Sequence, residues 1–209
     1  GRWLHIVPGV RRGGAQPDVM RGEETQILGL LAQMPQADLQ LVMPGTHSKW
    51  VRVVQGRIVD FHTVMTGELF AVLREHSILG RPARDAGGAV PSDAAFDAGV
   101  SAVRDGGAAG ATALLFSARA RVLAGELPAA HSLDYLSGLL IGEELRSLLP
   151  EAGSEALQLV GDVALCERYS RALALFGQSA QRSADDAAAA GLWQIALRAG
   201  LCHGETADA

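Results

Sequence analysis

Leu39–Leu69, LQLVMPGTHSKWVRVVQGRIVDFHTVMTGEL, decides how the chain is to be read. Leu39-Gln40-Leu41-Val42-Met43 is an apolar run long enough for a buried strand and too short for an ordinary helix. It breaks at Pro44-Gly45 and passes through Thr46-His47-Ser48-Lys49, a cluster of small, hydroxyl and cationic residues. Trp50-Val51-Arg52-Val53-Val54 reads as a second strand, and Gln55-Gly56-Arg57 turns the chain into a third, Ile58-Val59-Asp60-Phe61-His62. Three strands joined by tight turns, with hydrogen-bond donors concentrated at the first turn, can hold a phosphate. Backbone N–H groups in such a turn face a concavity, and an adjacent lysine adds a full charge. An ordinary meander whose polar turn faces water has the same pattern.

The composition narrows the class. With 209 residues, 48% of them apolar and 20% charged, the chain is globular and long enough for a sizeable core. A net charge of −5 gives no general attraction to nucleic acid or to an anionic membrane. Cys166 and Cys202 lie far apart without ligand spacing, which suits a reduced, cytoplasmic interior better than a disulfide framework. No apolar run reaches the ~18 residues of a membrane-spanning helix. Gly1–Gly9 reads like the middle of a strand-to-loop transition, so a preceding segment is expected.

In chain order, Leu4–Val7 is a strand candidate ended by Pro8-Gly9, and Val10–Val19 reads as a loop. Met20–Gln26 leads into a helix over 25–34, placing Arg21, Glu23 and Glu24 at a helix entrance. Carboxylates there gain about 0.3–1 kcal/mol each from the helix dipole. In a functional reading, the guanidinium forks onto a ligand carboxylate while the glutamates accept from hydroxyls, a set suited to a polyhydroxy acid. Thr66 is expected to cap a helix running to His76, with Glu68 in its first turn. Residues 80–91 form a Gly/Pro/Ala-rich connection and the segment expected to be most mobile. Helices follow over 92–104, 111–124 and, capped by Ser132, 133–149. The glycines of Ser137-Gly138-Leu139-Leu140-Ile141-Gly142 point to close helix packing.

The last third alternates again: a strand over 156–160, Gly161 as the turn, and Asp162 capping a helix to Phe176 that Gly177 stops. Ala180–Ser183 reads as one more short strand before an Ala-rich helix over 185–201. A strand feeding a helix through Gly161 leaves N–H groups where a nucleotide can sit, although neither GxGxxG nor a Walker A loop is present. The pattern predicts an α/β fold with a mixed sheet flanked by helices.

Several stretches together resemble one family. They are Pro8-Gly9-Val10, Met20-Arg21-Gly22-Glu23-Glu24-Thr25-Gln26, Met43-Pro44-Gly45-Thr46-His47-Ser48-Lys49-Trp50-Val51, Thr63-Val64-Met65-Thr66-Gly67-Glu68-Leu69, His76-Ser77-Ile78-Leu79-Gly80 and Ser137–Gly142. They occur in the order found in the 2-dehydro-3-deoxygalactonokinases and cover nearly the whole chain. The resemblance implies ATP- and Mg²⁺-dependent phosphorylation of the 6-hydroxyl of 2-dehydro-3-deoxy-D-galactonate, in galactonate catabolism. It also implies a two-lobed, actin-like, ribonuclease-H-like kinase fold. Residues 1–38 would then be the remnant of the N-terminal lobe with the substrate segment, and 39–209 the C-terminal lobe with a helical insert at about 80–150.

On that resemblance, Gly45, Thr46 and Ser48 hold phosphate oxygens, and Gly161 and Asp162 lie on the adenosine side. Arg21, Glu23 and Glu24 contact the sugar acid. Lys49 and His47 stabilise charge at the transferring phosphoryl group. Glu23, Glu24 and Glu68 remain open as the carboxylate that orients or deprotonates the substrate hydroxyl, with Asp18 a lesser candidate. His5, His62, His76, His131 and His203 share no ligand spacing, and no transition-metal site is expected. The departure from the family is the absence of an Asp-x-Gly-Thr-type first phosphate loop. The chain is therefore expected to be a fragment with little activity alone, and an open sheet edge leaves a homodimer open. The rival readings are a non-catalytic sugar-acid sensor and a structural fragment without a competent site.

Overall fold

The computed structural model describes residues 3–106, 110–152, 157–183 and 187–202. Its centre is a five-stranded mixed sheet formed by β3 (Leu39–Met43), β4 (Ser48–Val54), β5 (Arg57–Val64), β6 (Leu157–Leu159) and β7 (Ala180–Arg182). The strand order is β5-β4-β3-β6-β7, with β3, β4 and β5 antiparallel and β3, β6 and β7 parallel. All five residues of β3 are buried, as a central strand covered on both faces must be. The β4–β5 turn puts both Gln55 and Gly56 at positive φ, 48° and 69°, the backbone twist that closes a two-residue hairpin. Gly56 has a second reason to lack a side chain, since a Cβ there would overlap the Pro35 carbonyl oxygen.

Helices cover both faces. On one lie α1 (Glu23–Gln33) and α9 (Ala187–Arg198), with Ile27, Leu30 and Leu31 packed against Leu41, Met43, Val51 and Val53. On the other lie α4 (Asp93–Asp105), α7 (Ser132–Leu148) and α8 (Val163–Leu175), whose Leu145, Tyr169 and Leu173 meet Val42, Trp50 and Leu159. The helices α2 (Thr66–His76), α3 (Arg81–Asp85), α5 (Gly110–Leu114) and α6 (Ser117–Leu123) gather around α7, and α2, α5 and α6 share a further apolar core with α4 and α7. The glycine spacing in Ser137–Gly142 serves the close packing expected of it: α7 crosses α4 so tightly that a Cβ on Gly138 would overlap the Phe96 carbonyl oxygen.

Local structure departs from the sequence reading in several places. Residues 3–9, including Leu4–Val7, form no strand, and a hairpin of β1 (Val10–Arg12) and β2 (Asp18–Met20) occupies the expected loop. Polar anchors seat that hairpin on β5. Arg12 donates to Asp60 at 3.2 Å, while Asp18 accepts from the Thr63 N–H and hydroxyl, both at 2.7 Å. Three-residue strands are too short to show a period, so such anchoring is invisible to hydrophobic patterning. Thr66 and Ser132 both lie inside their helices rather than capping them: the Thr66 hydroxyl donates to Glu144 and that of Ser132 to the Ala129 carbonyl. Ser92 and Asp162 do cap, accepting from Ala95 N–H at 3.2 Å and Leu165 N–H at 3.0 Å. The 111–124 segment divides into α5 and α6, and 80–91 contains α3, with Val90 N–H bonded to the Ala130 carbonyl at 2.9 Å. Ala156, Asp185 and His203, each part of an expectation above, lie outside the described residues.

Candidate active site

The parallel neighbours β3 and β6 run in register, Gln40 to Leu157 and Val42 to Leu159, and a further bond from Val160 N–H to the Val42 carbonyl extends the pairing. Their carboxyl ends therefore open side by side, one into Pro44-Gly45-Thr46 and the other into Gly161-Asp162. Ligands of open α/β sheets sit outside such ends. Gly161 adopts φ 145°, and a Cβ there would meet the Pro44 carbonyl oxygen at 3.4 Å, so the two turns abut. The first turn is backed by α2. Glu68 N–H donates to the Thr46 carbonyl at 2.9 Å, and a Cβ on Gly67 would overlap the Gly45 carbonyl oxygen. Gly45 itself faces open space.

A cavity of about 690 Å³ opens beside these turns, bordered by Gly45, Thr46, Gly67, Asp162 and residues of α7 and α8. Its size is that of a pocket for one small molecule or nucleotide. Two arginines border it, each carried on an aromatic ring. Arg168 lies 4.4 Å from the Phe96 centroid and pairs with Asp134 at 2.8 Å, and Arg74 lies 5.7 Å from the Phe70 centroid. Ala89 and Pro91, from the segment expected to be mobile, also border it. A second cavity of about 340 Å³, on the α1/α9 side, is lined by Gln26, Gly161, Asp162 and Ala187. Asp162 thus borders both, and Gly161 the smaller one.

The proposed site residues separate into four groups. Gly45, Thr46 and Asp162 line the larger cavity, and Gly161 lies beside them on the smaller one. His47, exposed, and Glu68, half-buried, pair with each other across the outer side of the turn. Lys49 is buried on the α1 side, where its ammonium donates to the His47 carbonyl at 3.1 Å and pairs with Glu23 at 3.2 Å. Strand alternation requires this division: Lys49, Val51 and Val53 face α1, whereas Ser48 and Trp50 face α7 and α8. Ser48 is fully buried, with its hydroxyl 3.0 Å from the Tyr169 hydroxyl.

At the start of α1, Arg21 is exposed, and its N–H donates to Glu23 Oε2 at 3.0 Å. The neighbouring Gly22 N–H donates to Glu24 Oε2 at 2.6 Å. Glu24 is buried, and its Oε1 has no hydrogen-bond partner among the described residues. A buried carboxylate oxygen without a donor carries a desolvation cost that a ligand hydroxyl would relieve. Asp18 is committed elsewhere. Burial alone would raise its pKa, but the bonds from Thr63 and Val19 and the charge of Arg12 outweigh that and hold it below the usual carboxylate value.

Sequence reasoning missed Glu144, whose carboxylate is buried in α7 between the sheet and α8. It accepts from the Trp50 indole N–H at 2.8 Å, the Tyr169 hydroxyl at 2.7 Å and the Thr66 hydroxyl. Burial raises its pKa, and the bonds from Thr66, Tyr169 and Trp50 offset only part of that. Burial and the adjacent Glu144 charge also push Tyr169 well above the ordinary phenol value. A signal was present: Glu144 stands three and four residues after Ile141 and Leu140, on the apolar face of its helix.

A mixed sheet flanked by helices, its parallel pair opening beside the 690 Å³ cavity, defines an α/β protein. More narrowly, the chain belongs to the 2-keto-3-deoxy-galactonokinase family, whose model matches residues 1–195. It is 43% identical over 194 residues to the "Probable 2-dehydro-3-deoxygalactonokinase DgoK1" of Rhizobium meliloti (strain 1021), covering 91% of this chain and 63% of that protein. With the 2-dehydro-3-deoxygalactonokinase of Escherichia coli (strain K12) it shares 39% identity over 182 residues, 86% of this chain and 60% of that protein. Among solved structures it resembles the crystal structure of a "putative 2-dehydro-3-deoxygalactonokinase protein" from Sinorhizobium meliloti. The TM-score is 0.83 at 41% identity, over 91% of this chain and 64% of that one. The chain therefore spans less than two thirds of the length of each of these relatives.

Proposed function

We propose that the chain forms the nucleotide-binding part, and part of the sugar-acid site, of an ATP-dependent kinase that phosphorylates the 6-hydroxyl of 2-dehydro-3-deoxy-D-galactonate in the cytoplasm. The observation that carries this reading is the meeting of two turns, Pro44–Thr46 and Gly161–Asp162, at the ends of adjacent parallel strands beside the 690 Å³ cavity. The relatives' shared name supports the reaction class and substrate. The order β5-β4-β3-β6-β7, three antiparallel strands followed by two parallel ones, supports a ribonuclease-H-like lobe of the actin-like kinases.

In this reading the Gly45–Thr46 turn receives the nucleotide phosphates through backbone N–H groups, and the base lies in the cavity toward α7 and α8. Among the described residues no three His, Cys, Asp or Glu side chains gather to hold a metal. Mg²⁺ would enter as the nucleotide complex, taking one or two carboxylates and filling its remaining positions with phosphate and water. The metal would neutralise phosphate charge, and Asp162 at the cleft edge is the residue to contact its hydration shell.

The sugar acid lies by the start of α1, its carboxylate near Arg21 and its hydroxyls near Glu23 and Glu24. Lys49 links the two halves by pairing with Glu23 beneath the turn, and it adds positive potential behind the phosphates. His47 and Glu68 border the outer side, where Glu68 can orient the attacking hydroxyl. Phosphoryl transfer depends on positioning and charge neutralisation, and residues 1–209 contain no Asp-x-Gly-Thr sequence. This chain alone is accordingly expected to bind nucleotide and turn over slowly.

The test is ADP release from Mg-ATP with a panel of 2-dehydro-3-deoxy sugar acids. The chain is measured beside a version extended to the length of its relatives. The expected result is turnover in the extended version, with preference for the galactonate-derived acid. An extended version that folds and binds the acid without turning over would leave a sensor instead.

A further inference from the structure

Glu144 reaches two points that flank the phosphate turn. Its carboxylate accepts from Thr66, the first residue of α2, whose first turn fastens the Thr46 carbonyl through Glu68 N–H at 2.9 Å. It also accepts from the Tyr169 hydroxyl at 2.7 Å, which lies 3.0 Å from the hydroxyl of Ser48, where β4 begins directly after the turn. The Trp50 indole N–H, at 2.8 Å, is the third donor to the carboxylate. One carboxylate therefore ties the segment after the turn to the helix that backs it.

Burying a carboxylate is costly, and an apolar side chain of similar volume commonly gives an equal or more stable core. Thr66 and Tyr169 also border the 690 Å³ cavity, so this network forms part of its wall as well as the support of the turn. Donors held rigidly before a ligand arrives bind it without paying for reorganisation.

We propose that Glu144 is a positioning residue for nucleotide binding. Through Thr66 and the Tyr169–Ser48 hydroxyl pair, it holds residues 44–47 and the start of α2 in the shape that receives phosphate. This inference rests on the nucleotide reading above. Glu144 touches no reacting atom; it acts through the turn.

The experiment is a titration of Mg-ATP into the intact chain by calorimetry, with thermal midpoints for every variant. Glu144→Gln keeps the volume but offers one acceptor oxygen where two are used. Its dissociation constant should rise about tenfold, the scale of one lost hydrogen bond to a charged group. Thr66→Val should weaken binding by a similar factor, and Thr66→Ser, which restores the hydroxyl, should return it to within about twofold of the starting value. The Glu144→Gln/Thr66→Val double variant should bind no more weakly than the worse single one, because both cut the same link. Val100→Ala, a truncation in the α4 core, should lower the thermal midpoint without changing affinity.

Unchanged affinity in both Glu144→Gln and Thr66→Val would overturn the inference and leave nucleotide binding standing. Fully additive losses in the double variant would overturn it too, because Thr66 would then contact the nucleotide on its own. If Glu144→Gln does not fold, the Thr66→Val and Thr66→Ser pair decides alone: failure of the serine to restore affinity overturns the inference. No Mg-ATP binding by the unaltered chain would overturn both this inference and the nucleotide reading.

Discussion

The two faces of β4 next to the turn hold their charges in opposite ways. On the α7/α8 face, the Glu144 carboxylate is buried and met by three donors from β4, α2 and α8. On the α1 face, Lys49 is equally buried but pairs with a partly exposed Glu23, and next to it Glu24 keeps a buried oxygen without a donor among the described residues. A saturated network fixes shape, whereas one with an unused acceptor has capacity left for a ligand. In the proposed reading the first face holds the turn and the second meets the sugar acid.

That contrast is open to mutation, and the largest expected effect comes from the saturated face. Glu144→Ala strips the partner from the buried Trp50 N–H and from the Thr66 and Tyr169 hydroxyls, and should cost about 3–5 kcal/mol of unfolding free energy. Chemical denaturation would measure it. A loss below about 1 kcal/mol would mean that the network is not a structural unit. Gly138→Ala should follow at about 1–3 kcal/mol, because its methyl group would enter the Phe96 carbonyl and force α4 away from α7. Thermal unfolding measures this change. Lys49→Met should cost less, about 1–2 kcal/mol, because Glu23 is exposed enough to recover water. In the extended protein it should lower turnover more than nucleotide affinity, which separates a bridging lysine from one that holds the nucleotide.

The smallest effect is a pH dependence. Asp18 has a folded-state pKa below its unfolded value, so its ionised form stabilises the fold above the unfolded pKa, and that stability disappears as pH falls through the folded one. Asp18→Asn should remove this component, flattening the fall in stability below about pH 4, the ordinary carboxylate range. Paired unfolding curves across pH 2–6 would show it. Parallel curves for the two proteins would mean that the Thr63 bonds do not bias its ionisation.

The sheet was legible because each strand carried its own signature. β3 is uniformly apolar and lies in the middle with both faces covered, Gln55-Gly56 closes the hairpin, and Asp162 caps the helix that follows β6. Gly45, Thr46, Gly161 and Asp162 could be brought together because turns at the ends of parallel neighbours share one side of a sheet. Period-2 alternation does tell Lys49 from Ser48, but not which helices lie over each face, so the burial of both was out of reach. The β1–β2 hairpin was illegible for a different reason: Arg12 and Asp18 find their partners about 45 to 50 residues away on β5. Glu144 was readable in principle as a charge on an apolar helix face. Its three donors come from three separate elements, and no local pattern names them.

Hydrogen exchange of the chain with and without Mg-ATP tests the central claim most directly, because it reports where the nucleotide sits as well as whether it binds. The expected result is slowed exchange at residues 44–48, at 66–70 and at 161–166, with little change at residues 21–24 at the start of α1. Protection at 21–24 with none at 44–48 would place the nucleotide on the α1 face, and the division between the two faces would be wrong.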